Sequence, residues 1–449
     1  MLQRTYSPKR MQLYTIAVFA VFLLHLFRYA QPELWDSLYW AYYVPLVPVL
    51  IAAGLYLSRE GRLPAEKIFL LYWTWVFLTR LLNRDFFLEY DADKVLNIGL
   101  ACAMLPLCRM LGEASRRRFL DVFSVAVAGF YTLLALPGLY AVLYRKDLYN
   151  PITGNEICTF WVGYRLTILG RHANECALWF FISFFLLVYL FFRWKNLLCR
   201  GIVLPAAVLN YIILGMTFSR NAMLAFSICF ALLAVLLVLE RIKDRKPVQK
   251  AAVSLALLLV LTPAAYLSFR GTAELMRRAS AELLDLEVEE DTMYVDKRVL
   301  SDSGRFEIYK SVIPTFRQEP MRLVRGCLWR DVMSVSNTVL LAAYAHLHNT
   351  YLQVLVFTGI PGFLLVLIFS ALLALAILRL LFSDAPMRVK ALTLILIGSF
   401  FYNLLEISLF VSADTRAFTA YIIAGAVLAY SREIGHARAV PLYRSLYNT

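Results

Sequence analysis

The sequence predicts an all-α polytopic membrane protein with about twelve transmembrane helices and one large extracytoplasmic loop. Three observations carry that prediction. Of 449 residues, 61% are hydrophobic and 17% charged, with a mean hydropathy of +0.65, whereas soluble domains run roughly 45–50% apolar and about 25% charged. The apolar residues fall in blocks of roughly 17–25, the length of helix that crosses about 30 Å of hydrocarbon. The basic residues gather in alternate loops.

Taken in order, the spans read at roughly 12–30, 38–57, 67–83, 95–111, 119–144, 176–193, 201–218, 221–239, 251–269, 349–378, 390–411 and 417–431. Arg4, Lys9 and Arg10 lead straight into the first span without an A-x-A cleavage site, so it reads as a span and not as a removed signal peptide. The loops that share a side with both termini hold about 24 basic residues, and the short loops opposite hold about eight: Arg84, Lys94, Arg145, Lys146, Arg165, Arg171, Arg220 and Arg416. The positive-inside rule then puts both termini in the cytoplasm. The net charge of +14 is therefore a topology signal, and no nucleic-acid partner is expected; the membrane lipids are. The chain divides into spans one to nine (1–269), the extracytoplasmic loop (270–347), spans ten to twelve (348–431) and a cytoplasmic tail (432–449), with no internal repeat. Of seven cysteines, Cys158 and Cys327 fall on the outer side, where a disulfide can form; with no C-x-x-C spacing, isolated apolar thiols are the preferred reading.

The loop is too long to be a plain connection. Residues 272–288 place Leu275, Met276, Leu283, Leu284 and Leu286 among charges, which predicts a helix lying on the surface. A second helix is expected after Ser303-Gly304, capped by Ser303, with Phe306, Tyr309, Val312, Ile313 and Phe316 at helical spacing and Pro320 as its end. From 303 to 347 six basic residues face three acidic ones. A basic outer surface beside the membrane suits an anionic substrate headgroup.

Several residues in this frame can carry chemistry. Arg220, in Thr217-Phe218-Ser219-Arg220-Asn221, sits in a turn between two spans; position alone leaves open whether it snorkels to lipid phosphates or faces an internal cavity. Arg305 stands at the expected start of the second loop helix, where backbone N–H groups and a guanidinium together attract anions. Arg171 and Asn174 lie at the outer entrance of the sixth span. Glu406 falls in an otherwise apolar span near Asn403. A carboxylate there is costly and marks a functional site by default, with pairing to Arg416 or Asn403 as the structural alternative. His348 begins the tenth span, and neutral imidazole accepts a proton from a hydroxyl near pH 7. No His, Asp or Glu cluster has metal-ligand spacing, since His346 and His348 do not share a helix face, so neither a metal nor a cofactor is expected.

His348-Asn349, nine intervening residues, then Gly359-Ile360-Pro361-Gly362 resembles the signature of the bacterial O-antigen ligase family. Thr217-Phe218-Ser219-Arg220, Ser303-Gly304-Arg305 before an aromatic-rich helix, and the stretch around Asn174 are similar to further elements of that superfamily. The resemblance implies a GT-C-like fold and a metal-independent, inverting glycosyltransferase. Such an enzyme moves a glycan from undecaprenyl diphosphate to an acceptor hydroxyl at the outer face of the cytoplasmic membrane, the acceptor in the named ligases being lipid A–core oligosaccharide. It also implies His348 as base and Arg220 and Arg305 as diphosphate ligands, with Asn349, Ser219, Asn174 and Arg171 as further substrate contacts; Glu406 joins these contacts on its intramembrane position alone. A polysaccharide polymerase of the same superfamily is the alternative. A lipid-linked oligosaccharide flippase is the reading from a different class; transport favours ionisable mid-membrane paths and repeated halves, whereas here the candidates gather on one face.

Overall fold

The computed structural model describes residues 8–30, 32–83, 89–151, 154–159, 165–284, 305–327, 332, 347–411 and 414–447. The helices in chain order are α1 (Pro8–Ala30), α2 (Pro32–Ser58), α3 (Pro64–Leu82), α4 (Glu89–Met104), α5 (Leu107–Met110), α6 (Glu113–Tyr144), α7 (Ala173–Arg193), α8 (Leu197–Met216), α9 (Arg220–Arg241), α10 (Pro247–Leu283), α11 (Arg305–Lys310), α12 (Ile313–Gln318), α13 (Arg322–Arg325), α14 (Thr350–Leu381), α15 (Met387–Asn403) and α16 (Thr415–Tyr447). The protein is thus an all-α polytopic membrane protein to which one small sheet is added. Seven described stretches are long and apolar enough to cross a membrane: Lys9–Leu26, α6, α7, α8, α9, α10 and α14. The other five expected spans fall on α2, α3, α4 with α5, α15 and α16.

Two compact units form. The first comprises Met1–Arg117, Asp302–Asp384 and Asn403–Thr449. Its α3 starts with Pro64 at the first helical position, where the missing N–H costs nothing, while Glu66 accepts the Leu63 N–H at 3.0 Å and the Arg109 Nε–H at 2.9 Å. α14 packs along α3, and rings from three elements close the core between them: Phe69 lies 4.9 Å from both Phe369 and Tyr421, with Phe410 over Tyr72. The expected span at 95–111 is broken at Leu105-Pro106. α16 packs on that bend through Gly425, where a Cβ would come within 1.9 Å of the Leu105 carbonyl oxygen.

The second unit comprises Arg118–Ser301 and Ala385–Tyr402. Within it α6 packs on α7, with Tyr131 stacked on Trp179 at 5.5 Å and Asp121 binding Arg193 at 2.9 Å. Gly398 on α15 makes room for the Phe181 ring of α7. Between α6 and α7 the chain forms a three-stranded antiparallel sheet, β1 (Leu148–Tyr149), β2 (Glu156–Thr159) and β3 (Thr167–Ile168). No apolar–polar alternation long enough to announce it exists in such short strands.

Three expectations need correction. The surface-lying helix at 272–288 is not separate: α10 runs unbroken from Pro247 through Arg270 to Leu283. No proline follows the apolar stretch, the helix carries Gly271 within it, and Glu274 binds Arg277 and Arg278 at 2.9 and 2.6 Å along the extension. Those bonds hold the pKa of the Glu274 carboxyl down at about 2. The second loop helix, expected to run on to Pro320, is split into α11 and α12, because Pro314 has no N–H for the Lys310 carbonyl. The span expected at 390–411 stops at Asn403, and residues 404–411 are irregular. There the Asn403 Oδ1 accepts the N–H groups of Ser408 and Leu409, each at 3.0 Å, so the backbone is satisfied without helix.

Candidate functional site

In the first unit the site grows from the start of α14. Asn349 caps that helix, its Oδ1 accepting the Leu352 N–H at 2.9 Å, and its Nδ2 donates to the Leu404 carbonyl at 2.9 Å. The Thr350 hydroxyl, a single donor, lies between the Asn403 side-chain oxygen and the Glu406 carbonyl at 2.9 Å, tying the irregular segment to the helix start. His348, just before the cap, has φ 51°, the left-handed region that a side chain with a Cβ enters at a cost. It is held on both sides: the Leu347 N–H binds Gln353 at 2.8 Å, and the Tyr309 hydroxyl of α11 reaches the His348 carbonyl at 3.5 Å. The His348 Nδ1 lies 3.1 Å from Glu406 Oε2, with side chains 14% and 6% exposed.

Glu406 therefore meets His348, a pairing the sequence did not announce. Its suggested partner Arg416 is buried against Asp414 at 2.6 Å instead. Asp414 escaped notice because it stands only two residues from Arg416, within the same turn.

Nine residues intervene between Asn349 and the point where the helix breaks. Gly359 has φ 67° and ψ −175°, and Pro361 lies in the first turn after the break, where its missing N–H is no loss. The break frees carbonyls that neighbours take up: the Cys327 N–H binds Val356 O at 2.8 Å, and the Trp75 Nε1–H binds Thr358 O at 2.7 Å. The approach is close on both sides. A Cβ on Gly359 would fall 2.3 Å from Val324 O, and one on Gly326 would fall 2.2 Å from Phe357 O. So the first glycine admits the kink with α13 docked on it, and Gly362 leaves room for Thr358 and Trp75.

Arg80, absent from the sequence-derived candidates, is 3% exposed, with its guanidinium 5.5 Å and the Lys94 ammonium 5.0 Å from the Phe357 ring centre. An arginine within an apolar block was the signal that could have found it. Arg305 opens α11; Ser303, Gly304 and His346 lie outside the described residues.

In the second unit the corresponding feature is the turn into α9. Phe218 takes φ 50°, Ser219 is the N-cap, and Arg220 is the first helical residue, half-buried. The buried Ser219 hydroxyl has no hydrogen-bond partner among the described residues. Arg165, counted from sequence only as a loop charge, organises this turn: its Nε–H binds Thr217 O at 3.1 Å and its Nη2–H binds Asn174 Oδ1 at 2.8 Å. Asn174 sits in the first turn of α7, its N–H accepted by the capping His172 at 3.2 Å and its carbonyl accepting from the Tyr402 hydroxyl at 2.8 Å. Arg171 is half-buried at the end of the sheet, bridged to Ile168.

Cys158 and Cys327 are both thiols. Cys158 is enclosed by the sheet, and burial pushes its thiol pKa up; the Cys327 thiol donates to Val356 O at 3.4 Å. Among the described residues no three His, Cys, Asp or Glu side chains are placed to hold a metal ion.

Comparison with curated proteins gives no match. Residues 205–367 match the family described as O-antigen ligase. That segment contains Ser219, Arg220, Arg305, His348, Asn349 and the Gly359–Gly362 kink, while Arg171, Asn174 and Glu406 lie outside it. The family comprises membrane glycosyltransferases of the O-antigen ligase and polymerase superfamily. Through its residues 205–367 the chain is similar to the O-antigen ligase family.

Proposed function

We propose that the protein is a metal-independent, inverting glycosyltransferase of the ligase type. It moves a glycan from undecaprenyl diphosphate to an acceptor hydroxyl, on lipid A–core oligosaccharide or another glycan, at the outer face of the bacterial cytoplasmic membrane. The observation that supports this reading best is His348: a partly open imidazole, held in a left-handed backbone position at the head of a helix able to span the membrane. In the reaction His348 takes the proton of the acceptor hydroxyl while that oxygen bonds to the anomeric carbon. The bond from that carbon to the diphosphate oxygen breaks on the opposite face, its electron pair leaving with the lipid diphosphate, and configuration inverts. Arg220 and Arg305 offset the growing charge on the leaving group, which makes a metal unnecessary. Arg220 adds its charge to the N-terminal dipole of α9.

The test uses purified protein in vesicles with an undecaprenyl-diphosphate glycan and an acceptor. Arg220→Lys and Arg305→Lys keep charge but lose the planar fork, and transfer should fall by about 10²-fold, as when a transition-state donor is removed. Native-rate transfer by both variants removes the diphosphate role, and abolition by EDTA with rescue by a divalent ion removes metal independence. Glycan joined to lipid A–core identifies a ligase, and a lengthened lipid-linked glycan a polymerase. For topology, Leu275 on the α10 extension is 61% exposed, so Leu275→Cys should react with an impermeant thiol reagent in intact cells; reaction only in broken cells reverses the orientation.

A further inference from the structure

We propose that Glu406 is the positioning residue of a histidine–carboxylate pair, fixing His348 as its Nδ1–H tautomer so that Nε2 carries the lone pair for the acceptor proton. This rests on the glycosyl-transfer reading of His348. An ionised carboxylate can only accept, so at 3.1 Å from Oε2 the Nδ1 must bear the hydrogen. The carboxylate is 6% exposed, and a buried carboxylate is expensive unless something meets it. The arginine closest in sequence is committed to Asp414. The pair is also built, not incidental. Residues 404–411 leave the helix to bring Glu406 to His348, and the two residues after His348 hold that segment through the Leu404 and Glu406 carbonyls.

The chemistry follows from the tautomer. As the acceptor oxygen bonds to the anomeric carbon, its proton moves to Nε2 and an imidazolium forms beside Glu406. Their attraction is stronger in that state than before it, which is the condition for lowering a barrier. Glu406 keeps its charge throughout. The imidazolium proton is then returned to the released diphosphate or to water.

Glu406→Gln preserves size and removes the charge. It should lower kcat by at least about 10²-fold, the lower end of what a correctly placed general base contributes, while KM for donor and acceptor changes less than about twofold. A residue that only supported the fold would move KM and protein yield as well. The second measurement is independent of activity: nitrogen NMR of histidine-labelled protein, with the His348 signals identified by their loss in His348→Gln. The native ring should show Nδ1–H, and Glu406→Gln should shift it toward Nε2–H. A native Nε2–H ring overturns the proposal even if the Gln variant does not fold, and so does a Gln variant with native kcat. Should His348→Ala transfer at full rate while the Glu406-dependent signature persists, the glycosyl-transfer reading fails and the pair stands. A dead His348→Ala beside a fully active Glu406→Gln does the opposite: the base survives and the positioning role of Glu406 is overturned.

Discussion

The starts of α14 and α9 share a construction and differ in how it is finished. In each, a residue in the left-handed region, His348 at φ 51° or Phe218 at φ 50°, turns the chain directly into the N-cap of a helix able to span the membrane. At α14 the capping Asn349 uses both ends of its amide, and the next residue, Thr350, places its hydroxyl between two more acceptors. At α9 the capping Ser219 makes no side-chain bond among the described residues and its hydroxyl is buried, while a cation follows it directly. On the proposed reading the difference separates two tasks. A base must be held still before substrate arrives, whereas a helix start that is to receive an anion keeps polar capacity in reserve.

The largest expected effect tests the first half of that contrast. His348→Ala should lower transfer by about 10²–10⁴-fold, the range for removing a general base, with donor binding retained. An active His348→Ala enzyme alongside a dead His346→Ala enzyme would move the role to His346, and full activity in both would leave arginine electrostatics alone.

Next comes the kink behind His348. Gly359→Ala places a methyl 2.3 Å from Val324 O at φ 67°, a clash added to backbone strain of about 1–3 kcal/mol. The thermal midpoint should drop and α13 should become accessible to protease. An unchanged midpoint would show that α13 is not locked on the break.

The smallest effects sharpen the contrast most. Asn349→Ala removes a bonded cap and should cost about 0.5–2 kcal/mol of stability. Ser219→Ala removes a buried hydroxyl that has no partner among the described residues, so stability should hold or rise, while the KM for donor increases. Equal losses of stability in the two variants would erase the distinction between a finished and a reserved helix start.

Much of this site was legible one residue at a time. The histidine, its cap, the glycine break after nine intervening residues, and the arginine after Thr217-Phe218-Ser219 each follow from local rules about what a backbone or a charge tolerates at a membrane boundary. What escaped were relations across the chain, Arg165 with Thr217 and Glu406 with His348, and two pairings closer in sequence, Arg165 with Asn174 and Asp414 with Arg416. Contacts 52 or 58 residues apart leave no periodicity, so a single sequence presents the Arg165, Glu406 and His348 side chains only one by one.

The sequence by itself determined the membrane class, the helical content and the positions of the helix starts, because apolar length, capping residues and helix breakers act within a few residues. Only the tertiary structure decided that the chain leaves its helix at Asn403, that α10 continues unbroken to Leu283, and that α13 seats on the Gly359 break. In each case the backbone's hydrogen-bonding demand can be met in more than one way, by further helix or by a distant side chain, and the choice between them is made by what packs alongside.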